Sequence, residues 1–215
     1  MSAMIIFGGS GGLGKPLTER IQAFASWPVV SVSSKDVDIT DSEAVEAFMK
    51  EHEPTVVINM AVRNIDGMLH KRDVVSIEDQ LKVSVQGNIN IFRAAIPYMR
   101  ANNFGRLIFI SSILSRKPIM GTSIYSASKA FNDNLVKTVA LENAKYHITA
   151  NSIQLGYFEG GLTERVPEPI MKQVMDQIPL KRLGTVDELY KAIFFLINTE
   201  YVTGSNLTMA GGLEC

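Results

Sequence analysis

Tyr125 and Lys129, the ends of the pentapeptide YSASK, stand four residues apart. On a helix that spacing stacks the two side chains on one face. An ammonium held there favours the phenolate form of the tyrosine, the condition under which a phenol can handle protons near neutral pH. The same pair also arises where a tyrosine packs its ring and a lysine runs over the surface, so the rest of the chain must decide. A second group with possible chemistry is FGGSGGLGK, in which Gly8, Gly12 and Gly14 form a GxxxGxG turn. Such a turn brings a phosphate close to the N-terminus of the following helix, where free N–H groups and the helix dipole favour an anion. Ser10 offers a further hydroxyl, and Pro16 suits the first helical turn, where a missing N–H costs nothing. A merely flexible glycine-rich turn reads alike.

The elements that must position these groups follow from the pattern of apolar residues. Strand-like runs occur at Met4–Phe7, Val29–Val32, Thr55–Asn59, Arg106–Ser111, Thr149–Leu155 and Asn206–Met209. Helical patterns lie between them near Lys15–Ala25, Asp41–Glu51, Ile77–Asn102, Tyr125–Ala144, Glu168–Gln177 and Val186–Asn198. Runs such as RLIFIS are apolar on both faces, as in a parallel sheet covered by helices. The alternation predicts an α/β doubly wound parallel sheet, a Rossmann fold, in a single domain spanning residues 1–215. Only SSKDVDIT separates Val32 from the helix near Asp41, too little for a crossover helix and another strand. Either a strand lacks its covering helix there or a loop replaces the unit.

Bulk properties narrow the function. The chain has 215 residues, 46% of them apolar and 20% charged, with a net charge of −1. That balance gives no electrostatic footprint for nucleic acid or an anionic membrane. The one cysteine, Cys215, excludes an internal disulfide framework and fits a reducing compartment. The start, MSAMIIFGG, has no secretory signal pattern, and no apolar run approaches the roughly 20 residues that span a bilayer. A cytoplasmic setting is expected. His52, His70 and His147 lack metal-ligand spacing, so no metal site is expected. Ser111, Ser115, Ser126 and Ser128 read as cap and turn residues.

Taken in order, the glycine turn, Ser112 at the end of RLIFISS, and Tyr125-Ser-Ala-Ser-Lys129 resemble the short-chain dehydrogenase/reductase family over nearly the whole chain. Ser112 precedes the tyrosine by 13 residues, the family's spacing for its catalytic serine. Asn59 in VINMA is similar to the first Asn of the family's NNAG segment, and IPLKRLG-TVDEL through YVTGSNLTMAGG to its C-terminal signature. The stretch DVDITDSEAVEAFMKEHEPTVVIN also looks like part of the NADPH-dependent nucleotide-sugar reductases of the extended branch, whose further substrate domain this chain has no room for.

The resemblance implies a reversible NAD(P)H-dependent reduction of a carbonyl, either a 3-oxoacyl compound or another small, possibly sugar-derived, ketone. It assigns catalysis to Ser112, Tyr125 and Lys129. Tyr125 would exchange the proton, its pKa lowered by Lys129 and the positive nicotinamide ring; Ser112 would hold the carbonyl oxygen. Lys129 would also grip the nicotinamide ribose. Cofactor contacts would come from Gly8, Ser10, Gly11, Gly12, Leu13 and Gly14, from Ser33, Ser34 and Lys35 after the second strand, from Asp38 and Ile39 beside the adenine, and from Asn59, Met60, Ala61, Tyr125, Lys129, Gly156 and Phe158. Thr40 or Asp41 suits a helix cap equally well. With Ser33-Ser34-Lys35 and no acid at the strand end, NADP(H) is favoured over NAD(H). Residues 157–177 would cover the substrate, with Phe158, Leu162, Ile170, Met171 and Val174 as pocket or lid candidates; an amphipathic helix packed on the sheet would read alike. A homodimer or homotetramer is expected through the helices at 77–102 and 125–144, with Phe131 and Leu135 in the core or the interface.

The chain departs from the family at several points. Ser84-Val85-Gln86-Gly87 stands where the family carries a relay Asn, so Ser84 or the nearby Asn88 must serve instead. NNAG becomes Asn59-Met60-Ala61-Val62, PG becomes Leu155-Gly156, the following Thr becomes Gly160, and the Asp of the terminal DGG becomes Ala210. These changes keep a second reading open: a cofactor-binding or sensor protein with little turnover.

Overall fold

The computed structural model describes residues 3–25 and 27–214; Cys215 lies outside them. Six strands form one parallel sheet: β1 (Met4–Phe7), β2 (Val29–Val32), β3 (Val56–Asn59), β4 (Gly105–Ser112), β5 (Ile148–Leu155) and β6 (Asn206–Met209). Their order is β2-β1-β3-β4-β5-β6, each neighbour parallel. Seven α-helices cover the faces: α1 (Gly14–Gln22), α2 (Ser42–His52), α3 (Val74–Leu81), α4 (Gly87–Ala101), α5 (Ser123–Asn143), α6 (Glu168–Gln177) and α7 (Val186–Asn198).

Alternating strand residues feed two separate cores, because successive side chains point to opposite faces. Ile5, Phe7, Val57, Leu107 and Phe109 pack with Met49, Ile91 and Val136 on one side. Met4, Ile6, Ile58, Ile108 and Ile153 pack with Leu17, Ile21 and Leu189 on the other. Burial on both faces explains why the strands read as unbroken apolar runs.

The short interval after Val32 is a loop. It leaves β2 as the sheet edge and enters α2 directly, with Asp41 as N-cap accepting from the N–H groups of Glu43 and Ala44. The continuous helix expected over 77–102 is instead three pieces. A π-helical turn, Lys82–Gln86, separates α3 from α4. One extra residue per turn swings the Ser84 carbonyl out of the regular ladder, and two side-chain amides receive it: Asn88 Nδ2 at 2.6 Å and Asn132 Nδ2 at 2.7 Å. The order of strand addition reverses between β1 and β3, with β2 on one side and β3 to β6 on the other, so that their C-terminal ends open a crevice, the usual place for a ligand in an open α/β sheet.

Candidate active site

The glycine turn lies at that crevice, between β1 and α1. Gly8 has φ +76°, and a Cβ there would come 2.8 Å from the Ala61 nitrogen, so the chain after β3 is pressed against it. A Cβ on Gly14 would sit 2.1 Å from the Gly8 carbonyl oxygen. Among the described residues no acceptor meets the N–H groups of Gly12, Leu13 or Gly14, and α1 has no acid in its first turn. Free donors at a helix start with no competing carboxylate fit a pyrophosphate. Ser10 and Gly11 are exposed at the tip of this turn. Gly160 and Gly161 close over it: a Cβ on Gly12 would lie 2.6 Å from Gly161 Cα.

Along the crevice, Asn59 is fully buried at the end of β3; its amide donates to Asn88 Oδ1 and its Oδ1 accepts from the Ala61 N–H at 2.9 Å. Met60 packs on the core beneath α1. Ser33, Ser34 and Lys35 form the turn after β2, but an acid is present there after all. Asp36 Oδ2 accepts from Ser33 N (2.8 Å) and Ser33 Oγ (2.6 Å), and these bonds hold its carboxyl below the usual range. The acid comes from three residues along, through an Asx-like fold of the turn. Asp38 is turned onto Thr40, accepting from its N–H and hydroxyl. Ile39 points into the core against Gly87, and its carbonyl accepts from Asn90 Nδ2 at 2.9 Å. Phe158 is likewise a core residue, its ring filling the space a Gly184 side chain would need. Gly156 allows the close approach of Ala210. Ile39 and Phe158 therefore have only their backbone to offer a ligand.

Ser112, Tyr125 and Lys129 come together at the C-terminal end of β4. Ser112 caps the short 3-10 turn Ile113–Ser115, its Oγ accepting from Leu114 N at 3.2 Å. That leaves its hydroxyl proton for Tyr125, whose phenol it stabilises in the charged form. Lys129 is buried against the Phe109 ring, with Nζ 4.5 Å from the ring centroid and 5.6 Å from that of Tyr125, and donates to the Ile110 carbonyl at 2.7 Å.

The expected acidic phenol is not a property of the chain alone. Burial pushes Tyr125 up to about 12, against the opposing Ser112 hydrogen bond, and the Asp66 charge pushes the same way. Burial also takes Lys129 down to about 7, opposed by Asp133. Desolvation disfavours whichever form carries charge and is the largest cause at both groups. Asp66 was not flagged by the sequence reading; nothing in NIDGM marks it as facing a tyrosine 59 residues away. Ser84 and Asn88, the two residues expected at the family's Asn position, are joined by Asn132, one turn along α5 from Ser128: the Asn88 and Asn132 amides both donate to the Ser84 carbonyl, and Asn132 Oδ1 is buried without a partner among the described residues.

Residues 13–214 match the family model described as Enoyl-(Acyl carrier protein) reductase. A 3-oxoacyl-(acyl-carrier-protein) reductase, MabA, of Mycobacterium bovis is 28% identical over 98% of this chain and 92% of its own length. An acetoacetyl-CoA reductase of Rhizobium meliloti is 32% identical over 90% of this chain and 83% of its own length. Among solved structures, a Mycobacterium ulcerans short-chain type dehydrogenase/reductase superposes with a TM-score of 0.89 at 18% identity, covering 99% of this chain and 89% of that one. A variant of a Serratia marcescens short-chain dehydrogenase/reductase gives 0.87 at 20% identity, covering 100% and 98%. Sequence, strand order and crevice agree: the chain belongs to the short-chain dehydrogenase/reductase family, oxidoreductases that interconvert a carbonyl and an alcohol with a nicotinamide cofactor.

Proposed function

We propose that the protein is an NADP(H)-dependent reductase of a 3-oxoacyl thioester or a similar small ketone, with Tyr125 as proton donor, Ser112 as the hydrogen-bond donor to the carbonyl oxygen, and Lys129 as the cation behind the phenol. The observation that carries it is the meeting of a serine with a free hydroxyl proton, a buried tyrosine and a buried lysine at the C-terminal end of β4. The dinucleotide supplies the hydride. Gly12, Leu13 and Gly14 hold its phosphates with backbone N–H groups, and Asn59 fixes the strand end beside it. Tyr125, protonated in its buried setting, gives its proton to the forming alkoxide as Ser112 steadies that oxygen. Lys129 takes the nicotinamide-side ribose.

Cofactor choice rests on Lys35, an exposed cation flanked by Ser33 and Ser34, and on the reductase names of the relatives. Asp36 already receives both hydrogens of Ser33 and so faces its own turn. Residues 157–177 form the substrate cover. Beside α6 is an open cavity of about 700 Å³ with Val166, Met171, Met175 and Leu183 as an apolar wall for an acyl chain and Glu164, Glu168 and Lys172 as charged lining. Exposed Val74 and Val75 on α3 and Phe131 on α5 support a homo-oligomer.

The test is turnover of acetoacetyl-CoA and a panel of small ketones by the wild type and by Tyr125→Phe, with NADPH and with NADH. Expected is wild-type reduction with NADPH preferred, and a loss of about 10²–10⁴ in kcat for the variant with cofactor binding kept. If the wild type binds NADPH yet reduces nothing, the sensor reading replaces this one.

A further inference from the structure

Beneath α5 lies a chain of buried polar groups that the proposed reaction does not use. Asp133 follows Lys129 by four residues and shares its face of the helix. It is buried, and among the described residues no cation lies within 4.0 Å of its carboxylate. Ser152 and Gln154, two apart on β5 and so on one face of the strand, both reach it: Ser152 Oγ to Oδ1 at 2.8 Å and Gln154 Nε2 to Oδ2 at 2.6 Å. Gln154 is held in turn, its Oε1 accepting from Thr208 Oγ1 at 3.0 Å and its Nε2 also reaching Ser115 Oγ at 3.1 Å. Ser152 also lies 2.9 Å from Asn206 Oδ1; with one proton to give, it gives it to the stronger acceptor, and the Asn206 amide turned about donates to Ser152. Apart from the branch from Gln154 Nε2 to Ser115 Oγ, the bonds of the chain then run towards Asp133. A carboxylate is acceptor-only, so this arrangement matches the ionised form.

We propose that Asp133, fixed by Ser152 and Gln154, is a positioning residue for Lys129: its buried negative charge, one helical turn away, keeps the lysine an ammonium beside Tyr125. This rests on the role of Lys129 given above. The direction agrees with the opposing pull of Asp133 on a lysine that burial takes down to about 7. Other charges near Lys129 do not do this work. On α5 itself, Tyr125 is a neutral phenol and Lys137 is exposed. β5 carries no charged side chain, and the one on β4, Arg106, is engaged with Glu200 and three carbonyls. In the π turn only Lys82 is charged, and it is exposed; Asp66, from the loop after β3, acts on Tyr125. A role in packing alone would need the hydrogen bonds but not the charge. Asn at 133 meets that need, since Gln154 can turn its amide and Thr208 can accept in place of donating.

The test is NMR titration of the cofactor-free protein with lysine labelled at Cε, the Lys129 signal identified by its loss in Lys129→Met. In Asp133→Asn the Lys129 midpoint should fall by about one pH unit or more, a tenfold or greater loss of proton affinity; Asp133→Glu should recover part of it. The pH profile of kcat should move with the midpoint while KM for NADPH changes less. An unmoved midpoint in a folded Asp133→Asn overturns the proposal. Should that variant not fold, the wild-type carboxyl signal of Asp133 decides: ionised at pH 7 supports the proposal, protonated at pH 7 ends it. The titrations need no turnover, so they separate this inference from failure of the reductase reading, which would appear as an inactive wild type.

Discussion

Gly12→Ala isolates the contact between the cofactor turn and the substrate cover. Gly12 has no positive φ, so alanine meets no backbone strain there, and restricting the unfolded chain would by itself stabilise by about 0.4–1 kcal/mol. The new methyl, however, lands 2.6 Å from Gly161 Cα and 2.8 Å from its nitrogen, both backbone atoms that cannot rotate away. Reaching an ordinary contact near 3.4 Å requires the two segments to part by about 0.8 Å. Overpacking of this kind costs about 1–3 kcal/mol, so the net loss of stability should lie between about 0 and 2.6 kcal/mol. The functional loss should be larger in proportion, because displacement of about 1 Å in a positioned site can cost 10²-fold. We expect kcat/KM with NADPH to fall by about ten- to a hundredfold while the melting temperature drops by only a few degrees. Gly11→Ala is the control: its methyl would find only the Gly8 carbonyl oxygen at 3.3 Å, and activity should stay within about threefold. Steady-state kinetics with a thermal melt on the same samples reads both. Gly12→Ala with wild-type kcat/KM would refute the idea that residues 160 and 161 sit on the turn during catalysis.

Three further outcomes follow from the electrostatics and the packing. In cofactor-free protein, the absorbance of phenolate near 295 nm should show no contribution from Tyr125 until the pH approaches 12, so Tyr125→Phe should leave the titration unchanged below about pH 11. Lys129 binds its proton less tightly folded, at about 7, than unfolded, near 10.5. Across that window the unfolded chain holds more protons, so this group makes stability rise with pH, and Lys129→Met should flatten the slope of melting temperature against pH between 7 and 10. Arg106, 2% exposed, donates to the carbonyls of Gly105, His147 and Ile197 and pairs with Glu200; Arg106→Ala takes this donor from the buried Gly105 and Ile197 carbonyls and should cost about 2 kcal/mol or more in urea unfolding.

Much of this was readable in the residues because it depended on local pattern. Short β-branched or apolar runs located all six strands, and YSASK with RLIFISS located the serine, tyrosine and lysine. What escaped depended on the path of the chain. KVSVQ looks like ordinary helix; its π turn is satisfied because the side-chain amides of Asn88 and Asn132, the latter 48 residues from Ser84, both donate to the displaced Ser84 carbonyl. Asp36 lies just beyond Ser33-Ser34-Lys35 in the sequence and reaches the β2 end only because the turn folds its carboxylate back onto Ser33. Nothing local in the sequence marks Asp133 on its long helix; what singles it out is β5, which sets Ser152 and Gln154 against it.

The reversed pKa directions give the site a logic that local pattern did not contain. A tyrosine held near 12 is a neutral phenol in the resting chain, while a lysine near 7, supported by Asp133, still carries its proton in about half of the molecules at neutral pH. Burying two separated charges would cost several kcal/mol, and the cofactor-free fold avoids that cost by leaving the phenol protonated. A protonated phenol is also the form that reduction consumes, since the alkoxide needs a proton from it. Reduction therefore starts from the stable state of the site, whereas oxidation must first ionise Tyr125 against its burial. Removing the Asp66 charge should ease that ionisation, because an anion near a phenol disfavours phenolate. Asp66→Asn should accordingly move the pH profile for alcohol oxidation towards lower pH and leave that for carbonyl reduction near neutral pH almost unchanged. A shift of the oxidation profile to higher pH, or none at all, would show that Asp66 does not act on the catalytic phenol.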